Sequence, residues 1–574
     1  MRSVARLSHY LLLAVANFAL FLSPGQAGSG DWWRYFHPSM EAMRTVILRY
    51  HQFPWWNPWS MAGVPLFADP QLAPLTLDAI FVLAFGPVAG LKLAVLAYIV
   101  VGYEGTAALC RHLFGDRPVV RAACVLPVLL PPLALHLYEG HFVLASFYLF
   151  PCLLWLALSW RLSWRRSLGL GLACGYLLLA NVHYMAVMEM SLVALVVVGG
   201  LARRWPARRE AAYLLMAATA ALSLCLVRVA LTLDFTLGFP RMGSTEASLY
   251  PISFHPLLAG VTLIAPLQSA HWPTFANHWI QFRPAAAPMG WWEVGAYVGV
   301  LALTSAWFGA TLGGRFHMKP WLAAATVLFV MAWTNRYPFS PSYYLHFLPG
   351  YSSILVITRW RIFACFLVLI CAVAGIVALH DAGRKRLASV LLLGIALDLS
   401  AHTVIAWYGA FGRDPPPTME NATPPIAVTG APDDYWPALR ATRTFLNADE
   451  PVLGYVNPAL AIIPVTDPAY RGEFYGSTVV RLVSWTPNRI ALDGSPGDVV
   501  RLNINPGSYW QLNDRPLFPH DRAMEVHKPF EVTVPASGHI VLTIIPAGLR
   551  ALVMAQAACA LMTMTLAIGF VRLD

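Results

Sequence analysis

The residues most able to do chemistry lie near the start of the chain. Asp31 sits in Gly30-Asp-Trp-Trp-Arg-Tyr-Phe-His-Pro38, an aromatic-rich stretch just beyond a first apolar run. A carboxylate there can take a proton from a hydroxyl, or hold a divalent cation such as Mg2+ or Mn2+ against a phosphate. It can equally cap a helix beginning near His37. Next comes Phe53-Pro-Trp-Trp-Asn-Pro-Trp-Ser-Met-Ala-Gly-Val-Pro-Leu-Phe-Ala-Asp-Pro-Gln71, with three tryptophans, four prolines and a glycine in nineteen residues. So much proline makes a rigid loop. Trp55 and Trp56 can stack on sugar faces beside the polar Asn57, or serve as an aromatic belt that fixes depth in a membrane interface. Asp69 adds a carboxylate, although an Asp before Pro also reads as a turn residue.

Further candidates occupy short connections. Glu139 and His141 fall in Leu137-Tyr-Glu-Gly-His-Phe142, and Asn181 and His183 form a second such tip. Position singles them out, since a lone histidine is more often a satisfied structural group than a catalyst. Arg359 and Arg361, in Ile357-Thr-Arg-Trp-Arg-Ile362, open an apolar run at the end where cations are disfavoured. Either an anion such as a lipid phosphate offsets them, or they snorkel to headgroups. Arg228 is a further partner for an acid or the same anion. The chain has no Walker loop, GxGxxG turn, HExxH or GxSxG, so nucleotide-driven and metalloprotease chemistry lose their usual signals.

The elements that must position these groups are membrane helices. The chain is 58% hydrophobic and only 12% charged, against about 25% charged in soluble domains. Apolar runs of about 20 residues in lipid must be helices, because their backbone groups find no water. Twelve spans are predicted, near 7–22, 88–110, 119–137, 142–160, 167–181, 184–201, 211–230, 292–311, 320–335, 362–380, 387–408 and 549–570. The first is read as retained rather than as a cleaved signal peptide, because the parity of the later spans requires it. Asp398 is read as the main charge placed mid-span, a pattern that favours surface chemistry over a transport pathway.

Every second connection is basic: Arg2 and Arg6; Arg111, Arg117 and Arg121; Arg161, Arg165 and Arg166; Arg203, Arg204, Arg208 and Arg209; Arg315 and Lys319; Arg384 to Arg386; Arg572. This alternation orients the chain with both termini cytoplasmic and the long aromatic loops, 23–76 and 231–291, outside. The net charge of +10 therefore reflects topology, and no nucleic-acid partner is expected. All eight cysteines lie in or beside apolar runs with no CxxC pair, which argues against disulfides and a zinc ribbon. The expected division is a multi-pass domain over 1–411, an extracytoplasmic β-sandwich over 412–548 and a last helix over 549–574. Alternating stretches at Thr478–Trp485, Asp498–Ile504, Phe530–Val534 and His539–Ile544 are its strands, with a short helix near Tyr435–Leu446. The sequon Asn421-Ala-Thr423 carries no weight.

The acid after the first helix, the loop Pro54–Pro65 with Ala68-Asp-Pro-Gln71, and Tyr138-Glu-Gly-His141 together resemble the YfhO-type bacterial membrane proteins. Asn181–Tyr184, Gly295–Gly299, Thr358-Arg-Trp-Arg361, Asn505–Trp510 and Val534–His539 extend the likeness. It implies a GT-C glycosyltransferase fold, a polyprenyl-phosphate sugar donor, an envelope glycan acceptor, and Asp31 as base or metal-associated acid. Two departures stand out. Asn181-Val-His-Tyr184 replaces a proline-rich, glutamine-containing segment, and the outer domain is short. The reading to test is a plasma- or inner-membrane sugar transferase with Asp31 catalytic, and with Trp55, Trp56, Asn57, Asp69, Glu139, His141, His183, Arg359 and Arg361 around substrate. Its rival is a non-enzymatic transporter of lipid-linked glycan, or an envelope assembly factor.

Overall fold

A computed structural model describes residues 2–60, 63–182, 184–238, 260–265, 268, 291–332, 341–345, 347–348, 351, 354, 356–414, 427–429, 443–445, 474–475, 480–502, 504, 509–517 and 530–572. Its helices are α1 (Arg2–Ala16), α2 (His37–Leu48), α3 (Leu77–Phe114), α4 (Pro131–Glu139), α5 (Phe150–Ser159), α6 (Trp164–Ala180), α7 (Tyr184–Arg203), α8 (Arg208–Gly238), α9 (Val300–Thr311), α10 (Lys319–Met331), α11 (Trp360–Asp381), α12 (Lys385–Trp407) and α13 (Leu549–Val571), joined by shorter turns.

Among the described residues, eight helical segments are long and apolar enough to cross a bilayer. The other four predicted spans are shorter helices, α1, α6, α9 and α10. The span expected at 292–311 is interrupted: a single turn, Trp291–Val294, precedes an extended stretch before α9 begins. There the amides of Val298 and Gly299 both donate to the Leu263 carbonyl at 3.0 Å. That partner satisfies backbone which a continuous helix would have paired internally. More charge lies within the spans than the sequence reading allowed. Lys92, Glu104 and Glu189 join Asp398.

Helix α11 is buried along nearly its whole length and forms the axis of the bundle. Small residues let its neighbours approach: a Cβ on Gly375 would lie 1.8 Å from the Ser305 carbonyl oxygen of α9, and one on Gly309 would lie 2.3 Å from that of Cys371. Helices α6 and α8 pack in the same way through Gly171, whose Cβ would meet the Ala217 carbonyl oxygen at 2.2 Å. At the end bearing the arginine clusters, Arg117 pairs with Asp381 at 2.7 Å and Arg121 with Asp116 at 3.3 Å.

The opposite end carries the strands. Among the described residues the expected sandwich is an antiparallel sheet region. Its five-stranded sheet has the order β12 (Arg515–Pro516), β11 (Trp510–Leu512), β14 (His539–Ile544), β9 (Arg489–Asp493), β8 (Arg481–Thr486). A three-stranded sheet has the order β13 (Phe530–Thr533), β10 (Val499–Leu502), β7 (Phe474–Tyr475). Strand β14 buries alternate residues Ile540, Leu542 and Ile544, the period-2 pattern of a half-covered strand. Strands β5 (Ala427–Thr429) and β6 (Arg443–Phe445) pair in parallel, so the end of the stretch expected to be helical is strand. The sequon lies outside the described residues.

Two short ladders fix the first loop. β1 (Ala27–Gly28) pairs with β4 (Phe411–Arg413) just past α12, and β2 (Trp56–Asn57) pairs with β3 (Val64–Pro65). Buried Lys92 donates to the carbonyls of Ser23 and Gln26 and lies 4.0 Å from the centre of the Phe411 ring, tying both ends of the β1–β4 ladder to α3.

Candidate active site

Asp31 is positioned by two glycines that allow backbone to meet backbone. Gly30 has φ +55°, and a Cβ on it would lie 2.2 Å from the Glu139 carbonyl oxygen. Gly140, the left-handed cap of α4 at φ +100°, would place a Cβ 2.2 Å from the Trp32 amide nitrogen. Only glycine takes both the positive φ and the close approach. The turn Trp32–Phe36 then winds as a π-helix into α2, and the buried Trp32 indole donates to the Leu137 carbonyl at 2.6 Å. Asp31 makes no side-chain cap bond to that turn, so the capping role open to it in the sequence is not the one it plays.

The nested loops bring Asp31 to His141, with Oδ2 3.7 Å from Nε2. Behind His141, its Nδ1 lies 3.0 Å from Nδ1 of His136 and 3.8 Å from Oε1 of Glu293. Glu293 sits on the single turn Trp291–Val294 and is held on both oxygens: Arg359 donates to Oε1 at 3.0 Å and the Thr358 hydroxyl to Oε2 at 3.1 Å. Arg361 donates to the carbonyl of Val294, fixing the same turn, and lies 5.5 Å from the centre of the Phe329 ring.

Exposure falls steadily inward, from 24% at the Asp31 side chain through 15% at His141 to 5% at Glu293. Burial, and then the guanidinium of Arg359, push the His141 pKa well below its usual value, so the ring is neutral. Burial alone would raise that of Glu293, but the Arg359 guanidinium, which also donates to Oε1, outweighs it and holds the carboxyl at about 2. The arrangement therefore runs from a partly open carboxylate through neutral imidazoles to a buried ion pair. Glu139 borders it, its Oε1 2.8 Å from where a Cβ on Gly30 would be.

Other sequence candidates are built into joints. Trp56 is 1% exposed, lies edge-on to Trp510 of β11 with centroids 5.5 Å apart, and has no open face for a sugar. Trp55 packs on Phe53 and Phe67. Asn57 accepts from the Trp59 amide at 3.1 Å, an Asx turn. Asp69 accepts from the Tyr35 hydroxyl at 2.5 Å and the Gln71 amide at 2.9 Å. Arg228 donates to the carbonyls of Asp69 and Leu72. Asn181 is buried and donates to the Val143 carbonyl at 3.2 Å, while His183 lies outside the described residues.

His136, Glu293 and Thr358 are the members that sequence reading missed. His136 looks like one more residue of an apolar helix. Glu293 falls inside a run read as a continuous span, although the glycines at 290, 295 and 299 around it were the available signal of a break.

No protein-family model matches the chain, and no curated protein does. Solved structures give matches in overall shape. The cryo-EM structure of arabinofuranosyltransferase AftD from Mycobacteria aligns with TM-score 0.45 and 15% identity, over 93% of this chain and 40% of that one. The chain thus spans well under half of AftD's length. The crystal structure of ArnT from Cupriavidus metallidurans bound to undecaprenyl phosphate aligns with TM-score 0.35 and 14% identity, over 77% of this chain and 86% of that one. At these scores the likeness carries no statement about substrate.

Proposed function

We propose that this chain is a membrane glycosyltransferase of GT-C type, moving a sugar from a polyprenyl-phosphate carrier to a hydroxyl of a cell-envelope glycan or glycolipid. The reaction takes place at the end of the bundle that bears the strands, which the arginine alternation orients outward. The observation that carries the reading is Asp31: a partly open carboxylate, fixed by nested glycines, beside a neutral imidazole backed by a buried ion pair.

In the proposed step the acceptor oxygen forms a bond to the anomeric carbon as the bond from that carbon to the phosphate oxygen breaks. The acceptor proton passes to Asp31, and the bonding electrons leave with the phosphate. Asp31 Oδ2 lies 3.7 Å from Nε2 of His141. The Arg359 guanidinium contributes through its field, because its Nη2 is engaged by Glu293. Positioning and electrostatics supply most of the rate, since the carrier phosphate is already a good leaving group.

The test is transfer of radiolabelled sugar from a polyprenyl carrier in proteoliposomes, set against flipping of the carrier in the same vesicles. Asp31→Asn, correctly inserted, is expected to lower transfer by ~10²–10⁴-fold, the usual contribution of a general base. Unchanged transfer removes Asp31 from the mechanism. Flipping without transfer supports the transporter.

A further inference from the structure

We infer that His136, His141 and Glu293 form a binding site for a divalent transition-metal ion of zinc-like preference. The inference deepens the reading of the same site, and it does not require that the transferred group be a sugar.

The donor atoms already stand close together. One ring nitrogen of each histidine and one carboxylate oxygen of Glu293 all lie within 4.8 Å of one another. The two Nδ1 atoms are 3.0 Å apart, and Nδ1 of His141 is 3.8 Å from Oε1 of Glu293. In a tetrahedral site with bonds of about 2.0–2.1 Å, neighbouring donors are separated by roughly 3.3 Å. The two shorter separations lie within about 0.5 Å of that value, and the widest, at most 4.8 Å, would have to close by up to about 1.5 Å. Two imidazoles and one carboxylate leave a fourth position open, as in sites that activate rather than merely brace.

The surroundings supply the outer partners such ligands use. A metal-bound histidine commonly gives its other ring N–H to a carboxylate. When Nδ1 of His141 faces the ion, Nε2 faces Asp31, 3.7 Å from Oδ2. Thr358 and Arg359 hold the two oxygens of Glu293 and so fix the carboxylate's plane. In the metal-free protein the 3.0 Å contact between the two Nδ1 atoms requires one of them to carry a proton. Binding an ion needs both lone pairs, so that proton moves to the same ring's Nε2. The bound ion would add two positive charges next to Arg359, where a phosphate oxygen is stabilised.

The competing account is that Arg359 alone neutralises Glu293 and the histidines simply share a hydrogen bond. Metal binding without substrate separates the two. The full-length protein, purified in detergent and stripped with chelator, is titrated with Co2+ while its visible d–d absorption is followed, then assayed for Zn2+ by elemental analysis. About one equivalent per chain is expected, with an absorption band displaced by Zn2+ and lost in His136→Ala. Because His136→Ala could disturb packing, His141→Gln is measured in parallel, with a melting curve showing that it still folds; the expected loss of affinity is 10-fold or more. No stoichiometric band in the wild type, or equal affinity in a folded His141→Gln protein, overturns the site. Loss of transfer in Asp31→Asn with no metal bound would leave the transferase reading intact and remove only this one.

Discussion

At the scale of single residues, the site turns on how one buried carboxylate is paired. Glu293 faces Arg359 at 3.0 Å, with both side chains less than a tenth exposed. Glu293→Gln takes the carboxylate from a buried guanidinium, and breaking such a pair typically costs ~3–5 kcal/mol. The expected outcome is a clearly lower melting temperature in detergent, and an unchanged one would show that the pair is not needed. The sign of its pH dependence follows from the depressed pKa of about 2 against an ordinary 4.5. Its stabilising contribution is complete above the ordinary value and is lost as pH falls through the folded one. The stability gap between wild type and Glu293→Gln should therefore hold from neutral pH to about pH 5 and narrow below 4.5.

At the scale of elements, the contact between the loop after α1 and the turn after α4 decides where Asp31 points. Gly140→Ala would place a methyl 2.2 Å from the Trp32 amide in a left-handed backbone conformation. That conformation alone costs ~1–2 kcal/mol for a residue with a Cβ, and the clash must push the two loops apart. Transfer in proteoliposomes should fall nearly as far as in Asp31→Asn although Asp31 is present. Full activity would mean that the nested glycines do not set the site. The interruption after Trp291–Val294 works in the same direction, since a continuous helix over 292–311 would carry Glu293 on a bilayer-spanning face rather than on a turn beside Arg359.

At the scale of the whole molecule, the strands and the bundle are joined through the tryptophan loop. Trp56 meets Trp510, Trp59 meets Trp485, and Gln52 donates to Thr486 at 2.8 Å. Truncating a buried tryptophan costs ~3–5 kcal/mol. Trp510→Ala should thus speed amide exchange in β9, β11 and β14 while leaving α11 protected; equal exchange in those strands would mean that this joint does not hold the sheet. Orientation has its own check. A cysteine placed at exposed Arg413 should react with an impermeant maleimide from outside, and one at exposed Lys385 only after lysis. The reverse result would put the site on the cytoplasmic side, away from any outward-facing donor.

What the sequence could determine by itself was what depends on local, additive properties. Hydropathy summed over a window located the helices, alternating hydrophobicity located β10 and β14, and the aspartate after the first apolar run marked the loop that holds the candidate site. Asp31, Glu139, His141 and Arg359 were legible as candidates because each stands at a connection, where a polar residue is conspicuous against lipid. Whether the loop tryptophans bind or brace was not legible, because Trp56 and Trp510 are distant in sequence and either role needs the same residue type. His136 and Glu293 were hidden within apolar runs; His136 meets His141 locally, across the last turn of α4, whereas only the tertiary structure brings Glu293 to them. That convergence depends on where α4, the turn at 291 and the start of α11 meet, a long-range contact that no local pattern encodes.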